Sequence, residues 1–220
     1  MTSIGQPPGG APLIPLRARR PAPADDARKP EVEAVEIGEL TDEALVAACA
    51  TGDTAALAAL FDRHHRLVLR FVSRASSAAP SDVEDLAQST FLEMWRGSAR
   101  FRARGSARSW MLGIAANLVR HYVRGEIRRR SAMAGLAERP DHGAARPDDL
   151  AARRQLLDRL AAGLGTLPHD LRVAFVMCDL EEVPAVEAAR ALGVRQGTMW
   201  RRLHDARRRL RDILAGRSSP

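Results

Sequence analysis

From residue 40 to about 130, and again from about 150 to 215, apolar residues recur at the three- and four-residue spacing of helices. Thr41 is placed to cap a short first helix that Gly52 ends, and Asp53 to cap the next, whose apolar positions are Leu57, Leu60, Phe61, Val68 and Phe71. Pro80 interrupts the pattern. Ser81 and Glu84 then have the spacing of a capping box for a third helix, with Val83, Leu86, Ala87, Thr90, Phe91, Met94 and Trp95 on one stripe. Its opposite face shows Glu84, Asp85, Gln88 and Glu93. A turn rich in Arg, Gly and Ser (97–106) leads to a fourth helix. There the period predicts Trp110, Met111, Ile114, Ala115, Leu118 and Tyr122 inward, and Asn117, Arg120, His121, Arg124 and Arg128 outward.

Residues 131–150 lose the period and hold Pro140 and Pro147, so they read as a linker. Helical spacing returns with Leu156, Leu157, Leu160 and Leu164, pauses at Leu167-Pro168, and resumes through Val173, Phe175, Val176 and Leu180. The expected fold is all-α: two small helical domains, 39–130 and 151–216, joined by a flexible linker at 131–150, the second domain ending in a helix-turn-helix. Residues 1–38 read as a disordered tail, because seven of the thirteen prolines fall in the first thirty residues. The tail is neither a secretory nor a twin-arginine signal: Pro12 and Pro15 cut its apolar patch, and no apolar stretch follows Arg19-Arg20.

The helix-turn-helix rests on spacing within 184–210. Ala189 lets two helices approach, Gly193 permits a left-handed turn, and Met199 plugs the core from the second helix. On that helix Met199, Leu203, Ala206 and Leu210 share one side. Trp200, Arg201, His204, Asp205 and Arg208 share the other, beside an N-terminal turn of Arg195, Gln196, Gly197 and Thr198. Such a helix can enter the major groove, Arg and Gln reading base edges and Thr a phosphate. The plainer alternative is an ordinary helical hairpin in an Ala-rich chain.

Charge changes the balance. The 220 residues carry 34 Lys+Arg against 27 Asp+Glu, a net +7, and Lys29 is the one lysine. Residues 100–130 hold nine arginines and one acid, and residues 195–220 eight arginines and two acids, so two basic islands sit on a body that is otherwise acidic. Either island alone fits a solvated helix face; together they point to a polyanion gripped at two places. The acidic run Glu31–Glu43 is expected to screen those basic faces or to be a solvated linker running into a helix. No run of 18 apolar residues offers a membrane span. Cys49 and Cys178 are too few for a disulfide scaffold; buried thiols or sensors both remain open.

Three stretches resemble the extracytoplasmic-function sigma factors of the sigma-70 family: Asp82–Trp95, the segment 101–124, and Leu167-Pro168 followed by Gly197–Arg207. They come in family order and spacing. The resemblance implies a factor that binds core RNA polymerase, recognises the −35 and −10 promoter elements and helps to open the DNA. It implies that Asp82, Glu84, Asp85, Gln88 and Glu93 dock on polymerase. Phe101, Arg102, Arg104 and Ser106 would hold a base flipped from the melted −10 strand, with Asn117, Arg120, His121 and Arg124 against the −10 DNA. Arg195, Gln196, Thr198, Trp200, Arg201, Arg202, His204, Asp205 and Arg208 would face the double-stranded −35 DNA. By family analogy an anti-sigma factor holds such a protein inactive. Ser89 stands where the family usually has an acid, and Trp200, Arg201 and Asp205 replace commoner residues, so the −35 sequence does not carry over. The tail exceeds the family's usual start, as a regulatory arm or a misassigned start codon would explain.

The expectation is therefore a cytoplasmic initiation factor with no covalent chemistry, no cofactor and no metal. The chain has no GxxxxGK[ST], HExxH or GxSxG motif, and His64-His65 point about 100° apart on a helix. The rival is a polymerase-independent helix-turn-helix regulator, which predicts a ligand, receiver or dimer domain within 40–130. A helical adaptor without nucleic acid is a third class.

Overall fold

Among the residues described by the computed structural model (39–102, 105–133 and 149–215) every regular element is helical. They are α1 (Asp42–Ala50), α2 (Thr54–Ser76), α3 (Pro80–Gly97), α4 (Ala107–Met133), α5 (Asp149–Thr166), α6 (His169–Phe175), α7 (Ala185–Ala191) and α8 (Gln196–Leu214). A 3₁₀ turn, Ser98–Arg100, follows α3, and a π turn, Val176–Leu180, continues α6. The expected tail at 1–38 and most of the expected linker lie outside the described residues.

The first two helices start as their residues dictate. Thr41 Oγ1 accepts from the Ala44 amide at 3.2 Å, and Asp53 Oδ1 accepts from the Ala55 and Ala56 amides at 2.9 and 3.2 Å. Gly52 turns the chain between them at φ +91°. The start of α3 differs from expectation. Ala79 is the N-cap without a side-chain bond, and Pro80 is the first helical residue. Proline's fixed φ suits that position and it has no amide to satisfy, so the helix begins two residues early and Ser81 is not its cap.

α2, α3 and α4 pack on one another with α1 against α2, and α5, α6 and α7 each pack on α8. The largest fully covered side chains of the first group are Leu45, Leu60, Phe71, Met94, Met111 and Leu112; those of the second are Met177, Met199 and Leu203. In the second group burial starts only at Leu160. Leu156 and Leu157 are exposed, and α5 meets α8 at Gly163, where a Cβ would come within 3.2 Å of the Leu210 side chain.

The two groups also touch each other directly, α4 against α7 and α2 against α6. That contact rotates the buried side of α4 from its expected position. Met111, Leu112, Ala115, Ala116 and Val119 are covered, whereas Trp110, Ile114, Leu118 and Tyr122 are only half-buried. A helix covered from two sides buries a wider arc than one amphipathic stripe predicts. Gly113 marks the closest approach: a Cβ there would come within 2.6 Å of the Ala191 carbonyl oxygen on α7.

Candidate nucleic-acid interface

α8 presents the face its spacing predicts. Gly193 takes φ +64°, and the Val194 amide donates to the Ala189 carbonyl at 2.9 Å, closing the turn that sets α8 across α7. Met199, Leu203, Ala206 and Leu210 are buried. Arg195, Gln196, Thr198, Trp200, Arg201, His204 and Arg208 are exposed, and Trp200 keeps 51% of its surface open to water. A half-exposed indole between arginines costs stability unless something covers it. Asp205 lies 3.5 Å from Arg208, one turn on, and so orients that guanidinium. Arg202 departs from expectation. It is half-buried, its guanidinium 2.5 Å from Asp170 of α6, so it belongs to the packing of α8 and not to its open face.

The acidic side of α3 is open at Glu84, Asp85, Gln88 and Glu93, with Leu92 exposed beside them. Glu93 is tied to Arg96 at 2.8 Å. Asp82 accepts a 2.7 Å hydrogen bond from the Tyr122 hydroxyl. Burial, and then that bond, push the phenol up to about 12.

The loop before α4 is arranged around Trp110, on which Phe101 packs with ring centroids 4.9 Å apart. Arg102 is exposed, and Arg104 lies outside the described residues. Ser106 is the cap of α4: its hydroxyl accepts from the Ser109 amide at 3.2 Å. The same hydroxyl donates to Glu187 Oε2 of α7 at 2.8 Å, and the Ser106 amide reaches that oxygen at 3.2 Å. Glu187 thus plays from a distant helix the part that a Glu at the third position plays in a capping box, where α4 has Ser109. The Ser106 hydroxyl, followed by its amide, holds the Glu187 carboxyl below the usual carboxylate range. Glu43 of α1 accepts from the Ala107 amide at 2.9 Å, so two carboxylates sit at the positive end of α4.

A cleft of about 410 Å³ opens here, lined by Phe101, Arg102, Ser106, Trp110, Glu187 and Arg190. A groove of about 390 Å³ shares Trp110 and Arg100 with it and runs on past Asn117 and His121. Asn117, His121 and Arg124 are exposed as expected. Arg120 is not: it turns towards α6 and lies 3.6 Å from Asp170, the carboxylate that also holds Arg202.

Sequence reasoning missed the residues that join the two helix groups. Glu181, 3% exposed, receives Arg74 at 2.9 Å, Arg70 at 3.5 Å and Arg108 at 3.8 Å. Glu182 takes φ +55°, turning the chain just beyond it. Arg172 is buried and donates to Ser77 Oγ at 2.7 Å and to the carbonyls of Gly165 and Leu167. His169 beside it has both ring nitrogens buried without a partner, and burial lowers its pKa to about 4. Gly113, inside an apolar helical run, was the one available signal for a close helix approach.

The acidic run ending at Glu43 has its described end committed inside the fold. Asp42 holds Arg63 at 3.0 Å and His64 at 2.7 Å, and Glu43 caps α4. Among the described residues no cluster of three His, Cys, Asp or Glu could hold a metal ion. Cys49 is buried, and burial pushes the half-buried Cys178 thiol up to about 11, so neither thiol is readily ionised.

A helix-turn-helix with an open arginine and tryptophan face, joined to a second basic helix, defines a DNA-binding transcription protein. Comparison with known proteins narrows the class. Residues 60–129 match the family model of sigma-70 region 2, and residues 157–210 that of sigma-70 region 4. The chain is 34% identical over 213 residues to the ECF RNA polymerase sigma factor SigE of Mycolicibacterium smegmatis, covering 93% of this chain and 81% of that one. It is 30% identical over 177 residues to SigM of Mycobacterium tuberculosis, with 80% and 86% covered. Its fold is similar to that of CnrH in complex with the cytosolic domain of CnrY: TM-score 0.59, 26% identity, 80% of this chain and 99% of that one covered. The sigma factor RpoE from Bartonella quintana, solved with the anti-sigma factor NepR, shares the fold at TM-score 0.55 and 23% identity, with 70% and 94% covered. The chain belongs to the extracytoplasmic-function sigma factors of the sigma-70 family. It is an RNA polymerase-binding factor for promoter-specific initiation, in a family not known for enzymes. The rival regulator expected a ligand, receiver or dimer domain where region 2 is found.

Proposed function

We propose a division of labour among three surfaces. The open acidic face of α3 (Glu84, Asp85, Gln88 and Glu93, with Asp82 anchored by Tyr122) docks on core polymerase. Phe101, Arg102, Arg104 and Ser106, with Asn117, His121 and Arg124 of α4, take the −10 element and its melted strand. Arg120 joins them once Asp170 releases it. On α8, Arg195, Gln196, Thr198, Trp200, Arg201, His204 and Arg208 read the −35 duplex, with Asp205 orienting Arg208. Arg202 contributes through its bond to Asp170.

The observation that carries this reading is the two-sidedness of α8, buried along Met199–Leu210 and open along a face rich in arginine, after a left-handed glycine turn. The protein performs no covalent step and works in the cytoplasm, where polymerase and promoter are. Among the described residues no helix is long and apolar enough to cross a membrane. A protein partner of the anti-sigma type is part of the proposal; CnrH itself was solved with the cytosolic domain of CnrY.

Transcription by core polymerase from a library of double-stranded promoters tests this function. Specific initiation that depends on the protein is the expected result. DNA binding with no response from polymerase would overturn it. For the anti-sigma partner, initiation that is equally strong with and without every co-transcribed partner would remove that part.

A further inference from the structure

Three guanidiniums converge on one buried carboxylate. Arg70 and Arg74 lie one turn apart on α2, Arg108 lies in the first turn of α4, and all three point at Glu181 from the other helix group. Glu181 is 3% exposed, whereas the three arginine side chains are 53%, 41% and 36% exposed. One negative charge therefore faces three positive ones. Like charges held together are unfavourable without an anion, so the cluster is arranged for more negative charge than Glu181 supplies. Arg108 is two residues beyond Ser106, so the cluster and the loop before α4 meet at the same end of that helix. The positive end of α4 adds to the same field.

The joint between the helix groups repeats one device. Asp170 lies on Arg120, Glu187 on the amide and hydroxyl of Ser106, and Glu181 on this cluster. Each is a carboxylate of the second group set against first-group donors of the kind that nucleic acid uses. Arginine forks match phosphate as well as carboxylate.

We propose that Arg70, Arg74 and Arg108 form a further phosphate-binding site for the promoter strand that leaves the −10 cleft, and that Glu181 occupies it while the two helix groups are closed on each other. This rests on the assignment of α4 and its loop to the −10 element. A nucleic-acid strand is favoured over an acidic peptide because the cluster lies at the same end of α4 as the loop assigned to that strand.

The test is binding of the full chain, without polymerase, to a labelled single strand of about 12 nucleotides across a salt series. Glu181→Gln should tighten binding on the order of tenfold at low salt and steepen the salt dependence. In that background Arg70→Gln with Arg74→Gln should lower the slope of log affinity against log salt by about 1 to 1.5, at about 0.7 per lost phosphate contact. An unchanged slope overturns the proposal. So does a polyglutamate peptide that displaces the strand at equal charge and loses that power in the double variant, because the occupant would then be acidic protein.

Should Glu181→Gln not fold, the partly exposed pair Arg70→Gln/Arg74→Gln is carried into the polymerase holoenzyme, where the slope of promoter-complex formation should fall; no fall again overturns the site. Normal initiation by the unaltered protein alongside an unchanged slope removes this inference alone. No initiation alongside a falling slope removes the promoter assignment and keeps the phosphate site.

Discussion

α8 and α4 are both basic helices with apolar inner residues, yet they meet their surroundings differently. α8 is buried along one side and open along the other, so the residues proposed to read the −35 duplex are already exposed. α4 is packed by α2 and α3 on one side and by α7 on the other, and the groups proposed for the −10 element are partly taken. Ser106 is bonded to Glu187 and Arg120 is turned to Asp170, while Asn117, His121 and Arg124 stay open. On the proposed assignment, reading DNA through α8 would require no rearrangement of that face, whereas full use of α4 and its loop would require α6 and α7 to move away. The same chain would then present a ready duplex reader and a covered strand reader.

The widest separation should come from neighbours on α8. Met199→Ala removes a fully buried side chain and should cost about 2–5 kcal/mol in denaturant unfolding. Trp200→Ala should change stability by no more than about 0.5 kcal/mol while weakening binding to −35 duplex in an anisotropy titration. Arg172→Ala comes next, at about 2–3 kcal/mol, because it leaves Ser77 and two carbonyls without a charged donor at the joint. Gly113→Val should cost about 1–3 kcal/mol by forcing α4 from α7. It should tighten binding of single-stranded −10 DNA and leave −35 duplex binding unchanged; tightening of both would erase the contrast. Thr41→Ala, which removes only the side-chain cap of α1, should lower stability by about 1 kcal/mol in a thermal melt and alter neither binding.

His169 is neutral in the fold, with its pKa lowered from 6.5 to about 4, so between those values the unfolded chain binds more protons. Its contribution to stability is complete above about pH 6.5 and is lost as pH falls towards 4. His169→Gln should flatten a stability profile measured across that window.

The divide between what was legible in the sequence and what was not follows the same contrast. The cap at Asp53, the left-handed turn at Gly193 and the inner row Met199, Leu203, Ala206 and Leu210 are local, set by spacing within a few residues, and the structure has each of them. The buried arc of α4 was misplaced because it depends on α7, some seventy residues later in the chain. Arg120, outward by spacing, and Arg202, assigned to the −35 face by the resemblance, give no sign of each other until Asp170 arrives between them. Glu181 and Glu187 carry no signal of their own, since an acid in a turn or short helix looks solvated, Glu181 the more so beside Asp179 and Glu182. Pro80 shows the converse, a local rule overridden by a stronger one at the next residue.

The most direct test pairs one residue from each surface. Initiation from a randomised promoter library would be measured with core polymerase and the unaltered protein, Asn117→Ala or Arg201→Ala. The account predicts that Asn117→Ala relaxes the preference within the −10 element alone and Arg201→Ala within the −35 element alone, each by about 1–3 kcal/mol at the affected position. Preferences that shift in the opposite elements, or in neither, would contradict it.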